Sequence, residues 1–171
     1  MLPLLSIGDI AREIRDMLAA MPELTREDED GTTGSTPIRT FLPDPEFTAE
    51  IVIKEHLPQI AVREVRSKTE IGAFPAGMGQ ALRTFTFTIW IYAREYKSAE
   101  DAKEFCRAAA RNVETIFVRY PLGFPAGRWL NTIPGETEYV LVKLTDRFWG
   151  VAAQVPLTVQ MIADVDEIRG C

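Results

Sequence analysis

Apolar residues recur at helical spacing near the start of the chain. Ile7, Ile10, Ile14, Met17, Leu18 and Met21 share one stripe, while Arg12, Glu13, Arg15 and Asp16 fall elsewhere. This predicts an amphipathic helix over Ile7–Met21. Ser6 with Asp9 three positions on forms a capping box, Asp replacing the usual Glu, and Pro22 ends the run. A second stripe of Ala102, Phe105, Cys106, Ala109, Val113, Ile116 and Phe117 predicts a helix over Ala99–Tyr120. Ser98 caps it and Pro121 stops it. Glu100 and Asp101 at its start and Arg111 and Arg119 towards its end suit the helix dipole.

Elsewhere the period is two. Over Thr84–Ala93, Phe85, Phe87, Ile89 and Ile91 take one face, and Thr84, Thr86, Thr88, Trp90 and Tyr92 the other. A longer run, Phe148–Ala163, places Val151, Ala153, Val155, Leu157, Val159 and Met161 on one parity against Ala152, Gln154, Thr158 and Gln160. Tyr139–Thr145 precedes it across a turn at Thr145-Asp146. Pro156 lies within the long run and cannot donate a ladder bond, so a bulge or an edge position is expected there. Shorter β-like runs occur at Ala49–Lys54 and Gln59–Arg66, split by a turn near His56-Leu57-Pro58.

Three segments read as loops: a mobile acidic stretch over 25–37, a Gly/Ala-rich stretch over 71–80, and a long irregular stretch over 121–137. The order α-β-β-β-α-β-β predicts a single α+β domain over 1–171, an antiparallel sheet with two main helices on its apolar face. The second helix covers roughly 30 Å at 1.5 Å per residue. The last β run, if continuous, spans roughly 50 Å. Hairpin tips are therefore expected to project beyond the helices, where they invite pairing between subunits.

Composition narrows the function classes. Hydrophobic residues make up 46% and charged residues 26% of 171, an ordinary globular balance. The net charge of -6 argues against nucleic-acid binding as the main source of affinity. Cys106 on a helix stripe and Cys171 at the end do not form a metal-type pair and suit a reducing compartment. The opening Met-Leu-Pro-Leu-Leu-Ser lacks a basic region, so no signal peptide is expected, and no apolar run approaches membrane-spanning length.

Candidate chemistry is sparse. The one histidine, His56, sits in a turn without an activated-nucleophile motif around it. Gly77-Met78-Gly79 continues Gln80-Ala81-Leu82, not the Gly-Lys-Ser/Thr of a phosphate loop. The Glu27–Asp30 run lacks the ligand spacing of a calcium loop, and Asp44/Glu46 and Asp164/Asp166 read as turn and strand-end carboxylates. No catalytic residue, metal ligand or cofactor site is therefore expected. Candidates for contact with a partner are Phe74 and Met78 in the Gly/Ala-rich loop, and Arg128 and Trp129 in the long loop. Trp90 and Tyr92 join them, either covered by the first helix or open to a neighbouring subunit.

The order of elements resembles that of the tail terminator proteins of long-tailed bacteriophages. The match comprises the helix Ile7–Met21, the strand Thr84–Tyr92, the helix Ala99–Tyr120 and the closing hairpin Tyr139–Ala163. The resemblance implies a non-catalytic subunit of a closed ring, usually of six copies, assembled in the host cytoplasm and carried in the virion neck. Such a ring caps the tail tube protein, stops its polymerisation and meets the head-side connector proteins, while DNA passes through its lumen without specific binding. A small-ligand-binding or regulatory α+β module, monomeric or dimeric, is the alternative. It predicts an apolar pocket between helices and sheet.

Overall fold

A computed structural model describes residues 5–26, 36–43, 58–71, 79–93, 99–125, 127–145 and 148–164. It is an α+β arrangement of two helices and a mixed six-stranded sheet. Helix α1 spans Ile7–Ala19 and α2 Ala99–Arg119. The strands are β1 (Thr25–Arg26), β2 (Thr36–Pro37), β3 (Arg39–Phe41), β4 (Gln59–Ile71), β5 (Gln80–Tyr92), β6 (Asn131–Pro134), β7 (Glu138–Thr145) and β8 (Phe148–Asp164). The run expected at Ala49–Lys54 and the cap expected at Ser98 lie outside the described residues.

The capping box forms as the sequence implies. The Ser6 hydroxyl accepts the Asp9 backbone N–H at 3.1 Å, and the Asp9 carboxylate accepts the Ser6 N–H at 2.7 Å. Both orphan donors at the start of α1 are thereby satisfied. Its apolar stripe, Ile10, Ala11, Ile14, Met17 and Leu18, is buried and packs on β3 and β4. Helix α2 lies on β8, β6 and β5. Both helices share one core with Phe85, Phe87, Ile89 and Ile91 of β5 and Val151, Val155, Leu157 and Val159 of β8. Full burial of side chains such as Phe85, Phe87 and Phe117 contributes about 1.5–3 kcal/mol each. The helices therefore cover one face of the sheet only.

The main sheet runs β3-β4-β5-β8-β6, with β7 also paired to β8. Its pairs are antiparallel except one. Contrary to the expected all-antiparallel sheet, β3 runs parallel to β4, with Arg39 opposite Gln59 and Phe41 opposite Ala61. The reason is that the chain leaves β3 and returns to the start of β4 through a crossover and not through a tight turn. The 25–37 stretch, expected as a loop, carries a short antiparallel pair of Thr25-Arg26 with Thr36-Pro37. The 121–137 stretch carries β6, which pairs with β8.

Pro156 does not break β8, which runs unbroken for 17 residues, roughly 56 Å at 3.3 Å each. The Pro156 carbonyl accepts a bond from the Gly135 N–H at 2.8 Å. In an extended strand a residue's N and C=O point to the same side. The missing N–H therefore faces the gap between β6 and β7, which lie end to end along one edge of β8. No ladder bond to β5 is lost, and β5 stays in register with β8 from Gln80↔Asp164 to Tyr92↔Ala152. The bulges fall elsewhere, between Glu64 and Arg66 in β4 and between Lys143 and Thr145 in β7.

Candidate partner interface

Register sorts the expected contact residues by face. Trp90 and Tyr92 alternate with the buried Ile89 and Ile91, so they point away from both helices. Their rings stack at 5.7 Å, with the Arg63 guanidinium 5.6 Å over Trp90. Around them Ala61, Ala152, Phe41 and Val140 form a small second cluster. Tyr92 is 8% exposed and Trp90 is half-buried. Helix α1 does not cover this pair, and Ala61, Phe41, Ala152 and Val140 are among the residues that pack around it.

Arg128 and Trp129 occupy a different place. Trp129 is only 3% exposed and belongs to the main core. Its indole N–H donates to Glu13 Oε2 at 2.9 Å, and Arg128 forms an ion pair with Glu13 Oε1. Gly123, at φ +85°, lies flat against the indole; a Cβ there would sit 2.8 Å from Cδ2 of Trp129. The residues after α2 thus fold back over α1, and Trp129 anchors them. A substitution at Trp129 would act first on the stability of the subunit. Phe74 and Met78 lie outside the described residues.

Exposed large apolar side chains cluster where the periodicity did not point. On one edge of the sheet, Val65 at the β4 bulge is 55% exposed and Ile71 62%. At the opposite edge Ile133 of β6 is 48%, Tyr139 of β7 50% and Leu141 of β7 73% exposed. Tyr139 and Leu141 sit opposite the core residues Ala153 and Val151, so they face the helix side, where α2 reaches Tyr139 in part and Leu141 stays exposed. Burial and the nearby Glu114 carboxylate push the Tyr139 hydroxyl above its ordinary value. Val118, Leu122, Phe124 and Leu130 add an apolar patch around the end of α2. The sequence signal was present at Tyr139 and Leu141, whose parity matches the core. Their exposure shows that α2 covers the start of β7 only in part.

A cleft of about 140 Å³ lies between α1 and residues 122–129, lined by Glu13, Asp16, Leu122, Phe124, Arg128 and Trp129 among others. It is smaller than the roughly 300–1,000 Å³ typical of small-molecule sites. Among the described residues no three His, Cys, Asp or Glu side chains converge as metal ligands. Cys106 is buried, its thiol directed at the carbonyls of Ile91 and Val151. Burial pushes its pKa up to about 12, so it is a packed, protonated thiol and not a nucleophile. Among the described residues no helix is long and apolar enough to cross a membrane. Neither a protein-family model nor a curated protein matches the chain.

Proposed function

We propose that this chain is a non-catalytic ring subunit of a bacteriophage neck, a tail terminator that caps the tail tube and joins it to head-side connector proteins. The observation that carries the reading is the pair of unlike edges on one sheet. Val65 and Ile71 stand exposed on the β4 side, and Tyr139 and Leu141 on the β7 side. A contact joining two different surfaces of each subunit closes into a ring when the rotation allows. The β4–β5 and β7–β8 hairpins are the projecting elements that would meet. From Glu64 onward β4 is exposed along most of its length, so that arm lies beyond the cover of α1. Six copies is the expected ring size.

The test is assembly. Purified protein should give a discrete species near six times 19.2 kDa by light scattering, alone or on addition of tail tube protein, and should halt tube growth. Ile71→Lys and Leu141→Lys should each abolish the ring. Mixed together, the two variants should form a dimer and stop there, because each retains one good edge. If either variant alone dimerises as well as the parent assembles, the contact is isologous and the ring reading fails.

A further inference from the structure

We infer that adjacent subunits join by main-chain strand pairing: the open edge of β4 in one copy takes β7 of the next as an antiparallel strand, with Ile71 opposite Tyr139. This rests on the ring reading and names the contact that closes it. Strand direction comes first. The steps from β4 to β5, β5 to β8 and β8 to β7 are all antiparallel, so β4 and β7 run in opposite directions. A neighbour generated by rotation about an axis along the strands therefore brings its β7 antiparallel to β4. Its helices stay on the same side of the joined sheet.

Both edges carry a row of outward ladder groups. The Ala93 N–H donates to the Val151 carbonyl at 3.0 Å, one step beyond the pair Tyr92↔Ala152. Opposed residues of an antiparallel pair exchange bonds at every second position. Odd-numbered residues of β5 therefore bond to β8, and even-numbered ones to β4. Arg66, Lys68 and Glu70, opposite Thr86, Thr84 and Leu82, direct their backbone groups to β5. Those of Ser67, Thr69 and Ile71 point outward. By the same alternation Glu138, Val140 and Val142 bond to Gln154, Ala152 and Gly150 of β8, and the backbone groups of Tyr139, Leu141 and Lys143 point outward. Among the described residues β4 has one other neighbour, β3, whose pairing stops at Ala61, and β7 pairs with β8 alone. Ser67, Thr69, Ile71, Tyr139 and Leu141 are all exposed.

The bulges fix the register. Strand β4 is regular from Arg66 to Ile71, after its bulge, and β7 from Glu138 to Lys143, before its own. These runs are equal in length, and antiparallel alignment puts both bulges at the same end. Setting Ser67 opposite Lys143 pairs Thr69 with Leu141 and Ile71 with Tyr139. Ile71, 62% exposed, then packs on Tyr139, 50% exposed, as an aliphatic–aromatic cross-strand pair. A register two residues one way sets Glu70 directly opposite Glu138, which repel; two residues the other way, Ser67 meets Thr145 and the ladder runs into the β7 bulge. The cations Arg63, Arg66 and Lys68 stand on the helix-free face, away from the apolar side of the seam. An open edge accepts any extended chain. A second copy is selected here because direction, face and bulge position agree between the molecule's own two edges.

The experiment has two arms, each run on the full chain alone and with tail tube protein. In the first, Thr69→Pro removes one outward N–H and leaves the β4–β5 ladder intact. Light scattering should show the ring lost while the urea midpoint stays near the parent's, and Thr69→Ala should assemble as the parent does. In the second, Ile71→Cys with Tyr139→Cys, in a Cys171→Ser background, should cross-link between subunits on mild oxidation. Opposed residues of a bonded pair lie about 5.5 Å apart, within disulfide reach. Ser67→Cys with Tyr139→Cys, out of register, should stay uncross-linked. A folded Thr69→Pro that assembles like the parent overturns the inference, as does cross-linking of the Ser67→Cys, Tyr139→Cys pair in place of the other. If Thr69→Pro fails to fold, the cross-links decide. Loss of the ring in Ile71→Lys with assembly kept in Thr69→Pro removes the ladder and leaves the ring reading standing. A parent that stays monomeric with and without tube protein sinks the ring reading itself.

Discussion

Trp129→Ala should destabilise the subunit by about 4 kcal/mol. Truncating a buried Trp to Ala in a packed core typically costs about 3–5 kcal/mol, and Trp129 is 3% exposed within the main cluster. The substitution also deprives Glu13 Oε2 of its indole donor, although Arg128 remains as a charge partner. Trp129→Phe keeps most of the ring and loses the donor, so it should cost about 1–2 kcal/mol. Gly123→Ala attacks the same packing from the other side. Its Cβ would approach Cδ2 of Trp129 to 2.8 Å at a backbone φ of +85°, a strain of about 2 kcal/mol.

The two sites touch, so their effects should not add. Once the indole is gone, Gly123→Ala is free of its clash and retains only its backbone strain, leaving a coupling of about 1 kcal/mol or more. Urea unfolding followed by far-ultraviolet circular dichroism gives the four stabilities. Two protein concentrations separate the subunit's stability from that of any assembly. A loss below about 1 kcal/mol for Trp129→Ala, or the same cost for Gly123→Ala in both backgrounds, would refute the argument that Trp129 anchors the segment after α2.

Three further outcomes are expected. Ser6→Ala removes the cap of α1 and should cost about 1 kcal/mol, read as a lowered urea midpoint; an unchanged midpoint would show the cap to be idle. The Ser6 backbone N–H and hydroxyl, with Arg12, hold the Asp9 carboxyl below its ordinary range, and Arg119 does the same for Glu23. Both groups bind protons less readily in the folded chain, so the stability they supply is complete above the ordinary carboxylate range and is lost as pH falls below it. The double variant Asp9→Asn, Glu23→Gln should flatten the acid limb of Tm against pH, and an unchanged limb would remove these pairs from the acid transition. The Cys106 thiol, pushed up to about 12 from an ordinary value near 9, binds its proton more tightly when folded. Stability should therefore fall as pH rises from about 9 towards 12. In a Cys171→Ser background Cys106 should resist a thiol reagent until urea unfolds the chain, and fast labelling of the native protein would contradict its burial.

Much of the fold was legible because two periods separate cleanly along the chain. The stripe from Ile7 to Leu18 and the alternation from Phe85 to Ile91 each named their buried face, and both are the core. The misses share a physical cause. Strand β3 is three residues long and β6 four, too short for a period to register, and each is held by pairing with a long neighbour. The parallel placement of β3 is a property of a connection, on which alternation is silent. Strand β4 was expected to stop near Arg66, where Ser67, Lys68, Thr69 and Glu70 offer no apolar face. It continues to Ile71 because β5 supplies a ladder partner for each residue after the bulge.

The candidate contact residues show what a single residue type cannot convey. Trp90 and Trp129 carry the same side chain, yet one lies half-buried on the open face and the other seals a loop onto α1. Parity settled the first once the helices were known to lie on the opposite face. For the second there was no period to read, and the deciding signal was the pair Gly123 and Glu13, one supplying room for the ring and the other its acceptor. The cationic face is a still more distributed property. Arg63, Arg66 and Lys68 do not stand out in a chain of net charge -6. Counted by parity alone they do not even agree, since 63 is odd and 66 and 68 are even. The bulge between Glu64 and Arg66 shifts the phase by one residue and brings all three onto the same side. A charge pattern that composition dilutes and parity scrambles is thus assembled by one extra residue in one strand. Deleting Val65 should turn Arg66 and Lys68 to the helix side or push the β4–β5 hairpin out of register, and a urea midpoint unchanged from the parent's would show that the bulge does not set that register.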